Sequence, residues 1–319
     1  MPVLYLNEDD VRQVLTMDVA LPAVEAAFRK LALDEAVNVP RSRCQTDAAM
    51  LHVLPAAAKT LGGLGLKSYT TGHFAAKFHV FLFDPHVGGL TAIIEADYLG
   101  QVRTGAASGV ATKKLARADA ATVGLFGTGK QARTQLMAVC KVRPIRRINV
   151  FSRNPVHCEA FAKEMSAECG TEVVPVASPE AAARGLDIVI TATTAREPVL
   201  LGEWLAEGTH LNVTGSNFLA KSEVDVEVIR RSTLITVDSK DQAKLEAGDF
   251  VEAMRLNVII WSDVFDFAPV MVGRYPGRES PQDITLFKSL GLGVEDVAVG
   301  VEVLKLARER GLGIELPIG

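Results

Sequence analysis

Long apolar runs are missing from this chain of 319 residues. No stretch approaches the roughly 20 consecutive apolar residues that a membrane helix requires, so no membrane partner is expected. The opening Met-Pro-Val-Leu-Tyr-Leu-Asn-Glu-Asp-Asp has no basic segment ahead of an apolar core, and no secretory leader is expected either. A basic excess is also missing. Lys and Arg total 34 against 38 Asp and Glu, a formal net charge of −4, whereas phosphate neutralisation along a nucleic acid needs clustered positive charge. Cysteine is scarce: Cys44, Cys140, Cys158 and Cys169 are scattered, with no CxxC pair, which suits free thiols in a cytoplasmic protein. The six histidines form no HExxH or similar pattern, so a metal is not expected. Aromatics are few, at 6%, while hydrophobic residues reach 48%. That balance suits a globular chain with a sizeable core, long enough for two domains of roughly 100–200 residues each.

What is present is a change of pattern along the chain. Residues 7–33 read as helix, capped by Asn7, acidic in the first turn and split at Pro22. Strand-like alternation follows in Met50–Leu54, Gly65–Tyr69, Phe78–Phe83 and Leu90–Ile94, with turn residues between. Residues 101–116 read as an Ala-rich helix. From Thr122 the chain alternates short apolar runs with helices: strand 122–126, helix 134–139, strand 148–151, helix 155–168, strand 172–176, helix 178–184 and strand 187–191. Further strands are expected at 210–213, 233–237 and 258–260, and a last helix at 293–310. Strand–helix alternation means βαβ units and a parallel sheet.

The first of these apolar runs leads into Gly127-Thr128-Gly129-Lys130-Gln131-Ala132 and then a helix. In that context the pattern is a dinucleotide phosphate cradle. Gly127 permits the tight turn, Gly129 admits the pyrophosphate, Ala132 lets helix and sheet pack closely, and the helix N-terminus offers its N–H groups. The second strand ends in Phe151-Ser152-Arg153-Asn154, without the acid that would bind a free ribose 2′-hydroxyl. Ser152 and Arg153 could hold a 2′-phosphate, so NADP is favoured slightly over NAD as the expected cofactor.

Three strings together, Gln101-Val102-Arg103-Thr104-Gly105-Ala106-Ala107-Ser108-Gly109, the Gly127–Ala132 turn, and Leu286-Phe287-Lys288-Ser289-Leu290-Gly291-Leu292-Gly293-Val294-Glu295-Asp296, resemble the ornithine cyclodeaminase/mu-crystallin family. The resemblance covers nearly the whole chain. It implies an α/β protein with a Rossmann NAD(P)-binding domain at 119–292 and a smaller α+β domain for substrate binding and homodimerisation at 1–118, completed by 293–319. Residue by residue, it implies that Arg41 grips a substrate carboxylate, that Lys67 lies at that carboxylate as a proton donor, and that Arg103 lies near cofactor phosphate and substrate. It places Thr191, Thr193, Thr194, Ser216, Lys221 and Ser289 at the cofactor and Leu290 at the substrate. Asn154 is counted with Ser152 and Arg153 on the cofactor side.

Two departures from the family pattern shape the expected activity. Cyclodeaminases carry a catalytic Asp where this chain has Asn217, and an amide can orient a group but has no proton to trade near neutral pH. They carry Glu where this chain has His52, which removes the partner for a cationic substrate tail. Arg41, Arg43, Lys67, His73, Lys77 and His79 surround it in sequence, suggesting a second anionic group on the substrate. The expected function is NAD(P)H-dependent reduction of a small α-imino acid to the L-amino acid, with a dicarboxylic imine such as iminosuccinate, giving aspartate, as one candidate. Cyclic ketimine reduction (pyrroline- or piperideine-2-carboxylate), alanine dehydrogenation, ornithine cyclodeamination and a non-catalytic crystallin-like binding role are the alternatives. The segment Asp263–Val270 also departs from the family pattern.

Overall fold

The computed structural model describes residues 2–318. The chain divides into two compact units, one running to Ala107 and resuming at Gly291, the other spanning Ser108–Leu290. The division falls inside a helix, whereas the sequence suggests a boundary at 118/119. In chain order the first unit opens with β1 (Val3–Leu6), α1 (Glu8–Val14), α2 (Met17–Ala32), β2 (Ala36–Asn38), β3 (Ser42–Gln45), β4 (Ala49–Ala58), β5 (Gly63–Gly72), β6 (Lys77–Phe83), β7 (Leu90–Glu95) and the start of α3 (Asp97–Leu115). The second unit holds β8 (Thr122–Phe126), α4 (Lys130–Val142), β9 (Arg147–Phe151), α5 (Pro155–Cys169), β10 (Glu172–Pro175), β11 (Ile188–Thr191), β12 (His210–Val213), α6 (Val226–Arg231), β13 (Leu234–Val237), α7 (Lys240–Glu246), α8 (Val251–Arg255), β14 (Val264–Asp266), α9 (Phe267–Met271) and β15 (Thr285–Lys288). The chain then gives α10 (Gly293–Arg310) and β16 (Ile314–Leu316) to the first unit. Among the described residues no helix is long and apolar enough to cross a membrane.

The first unit is an eight-stranded sheet in the order β16-β1-β7-β6-β5-β4-β2, with β3 also on β4. Burial alternates along β4 to β7, as period-2 side-chain geometry requires when one face is covered. The covered face carries Leu54, Lys67, Val80 and Ile94 and packs on α10, whose Gly293 and Gly300 allow the approach. The other face carries Leu64, Leu66, Phe81, Phe83 and Ile93 and stays partly exposed.

The helical stretch 7–33 divides at Leu15–Thr16 and not at Pro22, which lies inside α2. Pro22 is exposed, so its ring meets solvent. One lost hydrogen bond is outweighed by the buried stripe Ala20, Ala23, Val24, Ala27 and Phe28, where a fully buried large side chain contributes about 2 kcal/mol.

The second unit is a parallel sheet in the order β10-β9-β8-β11-β12-β15-β13-β14. Its central strands are buried on both faces, which is why they read as continuous apolar runs. The order reverses between β8 and β11, and the carboxyl ends of strands at such a switch point are where ligands bind in open α/β sheets. Two expectations are corrected here. The stretch 178–184 forms only a 3₁₀ turn at Glu180–Ala182. Residues 258–260 are not a strand: the Val258 N–H bonds back to Ala253 O and the Ile260 N–H to Asp263 Oδ2, so neither is available to a ladder. The strand lies at β14 instead. There Asp266 Oδ1 accepts from Lys240 N at the start of α7, a structural role for part of the departing segment Asp263–Val270.

Candidate active site

In the first unit, three cations separated by up to 62 positions in sequence meet at the N-terminal turn of α10. Lys67 Nζ lies 2.9 Å from Asp296 Oδ1. Arg103 reaches the same oxygen with Nε at 3.0 Å and Glu295 Oε2 with Nη1 at 2.7 Å. Arg41 donates to Gly291 O at 3.3 Å, just ahead of the helix. All are buried: Arg41 is 7% exposed, Lys67 3%, Arg103 6%, and both acids 0%. The acids also suit the positive end of the helix dipole. Gly100 of α3 leaves room for the ammonium, since a Cβ there would stand 2.6 Å from Nζ.

Burial pushes the Lys67 ammonium down to about 8, because Asp296 offsets only part of its desolvation while Arg103 and Arg41 repel it. For Arg103 burial acts against the charge, but Asp296 and Glu295 outweigh it and hold the guanidinium above its ordinary value. The cluster therefore holds fixed cations beside one lysine whose proton is easily released.

His52 lies on the same sheet face, one rung from Lys67, because His52 pairs with Tyr69 and Leu54 with Lys67. Its ring stacks on Tyr69 with centroids 4.2 Å apart. Arg43 Nε donates to His52 Nδ1 at 3.2 Å, which leaves Nε2 to carry the proton toward Thr71 Oγ1 at 3.0 Å. Burial and the charges of Arg43 and Arg41 press the imidazole down to about 4, so it is neutral near pH 7. Not every basic residue singled out in the sequence joins this face. Lys77 and His79 alternate onto the opposite face of β6 from Phe78 and Val80, and His73 lies in the β5–β6 turn.

In the second unit the glycine turn forms as expected. Gly127 has φ +103, and a Cβ there would stand 2.5 Å from Ala192 O. Gly129 caps α4 without a side-chain cap bond and has open space beside its Cα, the setting in which a helix N-terminus can receive an anion. A cavity of about 610 Å³ opens there, lined by Phe126–Gly129, Phe151–Arg153 and Ala192–Val199. The residues present thus fit a dinucleotide. Ser152 accepts from Thr128 Oγ1 at 3.3 Å and Arg153 is exposed at the cavity wall.

The remaining sequence-selected residues fall as follows. Lys130 and Gln131 lie in the first turn of α4, and Ala132 is fully buried under it. Asn154 is outside the cavity lining; its side chain caps α5 by accepting from His157 N. Thr193 and Thr194 line the cavity, while Thr191 is buried behind it. Ser216 and Asn217 follow β12 in a loop, and Lys221 Nζ in the same loop lies 5.5 Å from the Phe218 ring centre. Ser289 and Leu290 follow β15, where Leu290 N donates to Asp238 Oδ2 at 2.6 Å and Ser289 Oγ to the same oxygen at 3.4 Å.

Sequence reasoning missed the acids that organise both groups. Glu295 and Asp296 close the cluster in the first unit, and in the second Asp238 is buried just after β13, Asp249 in a 3₁₀ turn and Glu223 in the segment between β12 and α6. The signal for the first pair is two adjacent acids opening an apolar helix.

A phosphate turn at the switch point of a doubly wound sheet, in a chain that also gathers two buried arginines around a buried lysine, defines a dinucleotide-dependent oxidoreductase. The profile of the ornithine cyclodeaminase/mu-crystallin family matches residues 3–311, and the chain belongs to that family. It is 33% identical over 325 residues to the alanine dehydrogenase of Archaeoglobus fulgidus, covering 99% of this chain and 98% of that one. Among solved structures it is similar to Thermococcus litoralis Δ1-pyrroline-2-carboxylate reductase in complex with NADH and L-proline, with a TM-score of 0.93, 36% identity and coverage of 98% and 100%. It is also similar to the iminosuccinate reductase of Paracoccus denitrificans in complex with NAD+, with a TM-score of 0.93, 26% identity and full coverage of both chains.

Proposed function

We propose that this chain reduces a small α-imino acid to the corresponding L-amino acid with NAD(P)H. The observation that carries this reading is the buried Lys67, which is held near pH 8 beside fixed cations. A general acid acts best when its pKa lies close to the working pH. Arg41 supplies a planar fork for the substrate carboxylate, and Lys67 holds a proton for the imine nitrogen as it becomes an amine. Arg103, tied to two carboxylates, fixes the position of the helix that carries them. Asn217 orients a group without trading a proton, which favours imine reduction over the base-dependent ring closure of a cyclodeaminase. When bound in the second unit, the dinucleotide supplies the hydride; Gly127, Gly129 and the start of α4 hold its phosphates, and Ser152 with Arg153 favours NADPH.

Within this class, a substrate with a second carboxylate fits the first unit best. Arg43 is fixed by neutral His52 one rung from Lys67, a two-residue step of about 7 Å along a strand. That spacing, with a long arginine side chain to close it, suits a four-carbon diacid such as iminosuccinate. The named activities of the similar proteins bracket this choice, with a cyclic ketimine carboxylate as the second reading. The partly exposed apolar face of β4–β7, including Leu64 at 38% exposure, supports a homodimer built on that face. Phe81→Glu is expected to yield a monomer in light scattering; an unchanged mass would place the interface elsewhere.

The test of activity is consumption of NADPH and of NADH with oxaloacetate plus ammonia, pyruvate plus ammonia, and pyrroline- and piperideine-2-carboxylate, with L-ornithine and NAD+ alongside. Turnover confined to imines, fastest with oxaloacetate and ammonia, is expected. Proline and ammonia from ornithine would overturn the reading of Asn217.

A further inference from the structure

One buried carboxylate in the second unit has no part in the chemistry above, yet it gathers the ends of two neighbouring strands. Glu223 is fully buried. Its Oε1 accepts from both the N–H and the hydroxyl of Thr193, each at 2.7 Å. Its Oε2 accepts from Thr191 Oγ1 at 2.8 Å and from Gly215 N at 2.7 Å. The four donors come from the end of β11, the cavity-lining segment after it, and the loop after β12. Gly215 permits the approach, since a Cβ there would meet Glu223 Oε1 at 2.3 Å.

The contacts continue and close on the same loop. Glu223 N donates to Asp249 Oδ1 at 2.6 Å, Asp249 Oδ2 pairs with Lys288 Nζ at 2.8 Å, and Lys288 Nζ donates to Ser216 O at 2.7 Å. Residues 215 and 216 are thus gripped at both ends, the Gly215 N–H by one arm and the Ser216 carbonyl by the other. Asn217 is the next residue. Burial pushes the Glu223 carboxyl above its ordinary range, with Lys288 opposing, and apolar replacements of similar volume often cost less than such a buried polar cluster. Four donors on one carboxylate offset that cost only with the two loops held in this arrangement.

We propose that Glu223, Asp249 and Lys288 form a clamp of positioning residues that sets the backbone of Thr193 at the dinucleotide cavity and of Ser216–Asn217 beside it. The clamp acts through these loops and touches no reactant. It goes beyond the reading of the reaction, and its cofactor arm can be tested without any imine.

The variant is Glu223→Gln in the full chain. It keeps the shape but turns an NH₂ group toward hydrogen-bond donors. A packing control is Val224→Ala, the buried neighbour. NADH and NADPH dissociation constants are read by fluorescence titration, kcat at saturating dinucleotide and imine, and Tm by calorimetry. E223Q is expected to weaken dinucleotide binding about tenfold and lower kcat about 10- to 100-fold, the scale of a small misplacement at a reacting centre. V224A should lower Tm by a similar amount and leave both constants within about twofold. Asp249→Asn cuts the clamp in the middle and should reproduce the E223Q signature, which keeps the test available if E223Q does not fold. Wild-type constants in a folded E223Q or D249N overturn the clamp. So does a V224A that shifts them equally, because any loosening of the segment would then suffice. If wild type turns over no imine, the reaction assignment fails and the dissociation constants alone decide the clamp.

Discussion

Each unit buries a lysine against one aspartate at nearly the same distance, 2.9 Å for Lys67 and Asp296 and 2.8 Å for Lys288 and Asp249. Their surroundings differ. Asp296 Oδ1 is shared with Arg103 and a second guanidinium stands close by, so Lys67 is undercompensated and its proton is loosely held. Lys288 adds the Ser216 carbonyl, and Asp249 uses its other oxygen on the Glu223 N–H. One pair therefore holds its proton loosely, as the proposed reduction asks, and the other holds backbone. Residue type and distance do not separate the two cases; the count of cations sharing the acid does.

The sharpest way to break this contrast is to remove Lys67, the proposed proton donor. Lys67→Met is expected to lower kcat for imine reduction by about 100- to 10,000-fold, the range for a lost general acid, with NADH affinity unchanged by fluorescence titration; retention of a tenth of the wild-type rate would show that water or the substrate supplies the proton. Next comes the shared acid. Asp296→Asn leaves Lys67 without a carboxylate partner and Arg103 with Glu295 alone, and should cost about 3–5 kcal/mol in denaturant unfolding, while the double variant Lys67→Met/Asp296→Asn should cost less than the single change.

A smaller effect follows from titration. Lys67 is protonated below about 8 instead of its ordinary 10.5, so kcat/KM for reduction should fall above that pH with the slope of one proton, and a flat profile from pH 7 to 9.5 would remove Lys67 as donor. The smallest concerns stability. Burial and the neighbouring arginines keep His52 neutral down to about 4, whereas the unfolded imidazole takes up a proton near 6.5. The unfolded state therefore binds more protons within that window, and stability falls as pH drops through it. His52→Gln should flatten part of that slope in thermal melts. His210, kept neutral to about 3 by burial and Arg278, retains the rest.

The legible parts of the fold were those with a period or a turn. β8 and α10 fall where apolar runs and flanking residues place them, and the Gly127 turn has the backbone its spacing requires. β1, β2 and β16 are three or four residues long and were not foreseen, because pairing with partners distant in sequence specifies them. The basic half of the candidate site was visible through resemblance. The acidic half was not, because Glu223 and Asp249 read as ordinary surface charges until the tertiary fold buries them. The same limit misjudged His79, whose face is fixed by the β6 register.

The return of α10 to the first unit has a consequence for the order in which a ribosome can finish this protein. The second unit is one continuous stretch and can fold as soon as Leu290 has emerged. Arg41, Lys67 and Arg103 are made long before it, yet the carboxylates that neutralise two of them arrive only at Glu295 and Asp296. Until then those three cations have no low-energy place in a closed core. The part of the protein synthesised first is therefore completed last, and a chain halted before α10 would carry a finished second unit and an unclosed first one.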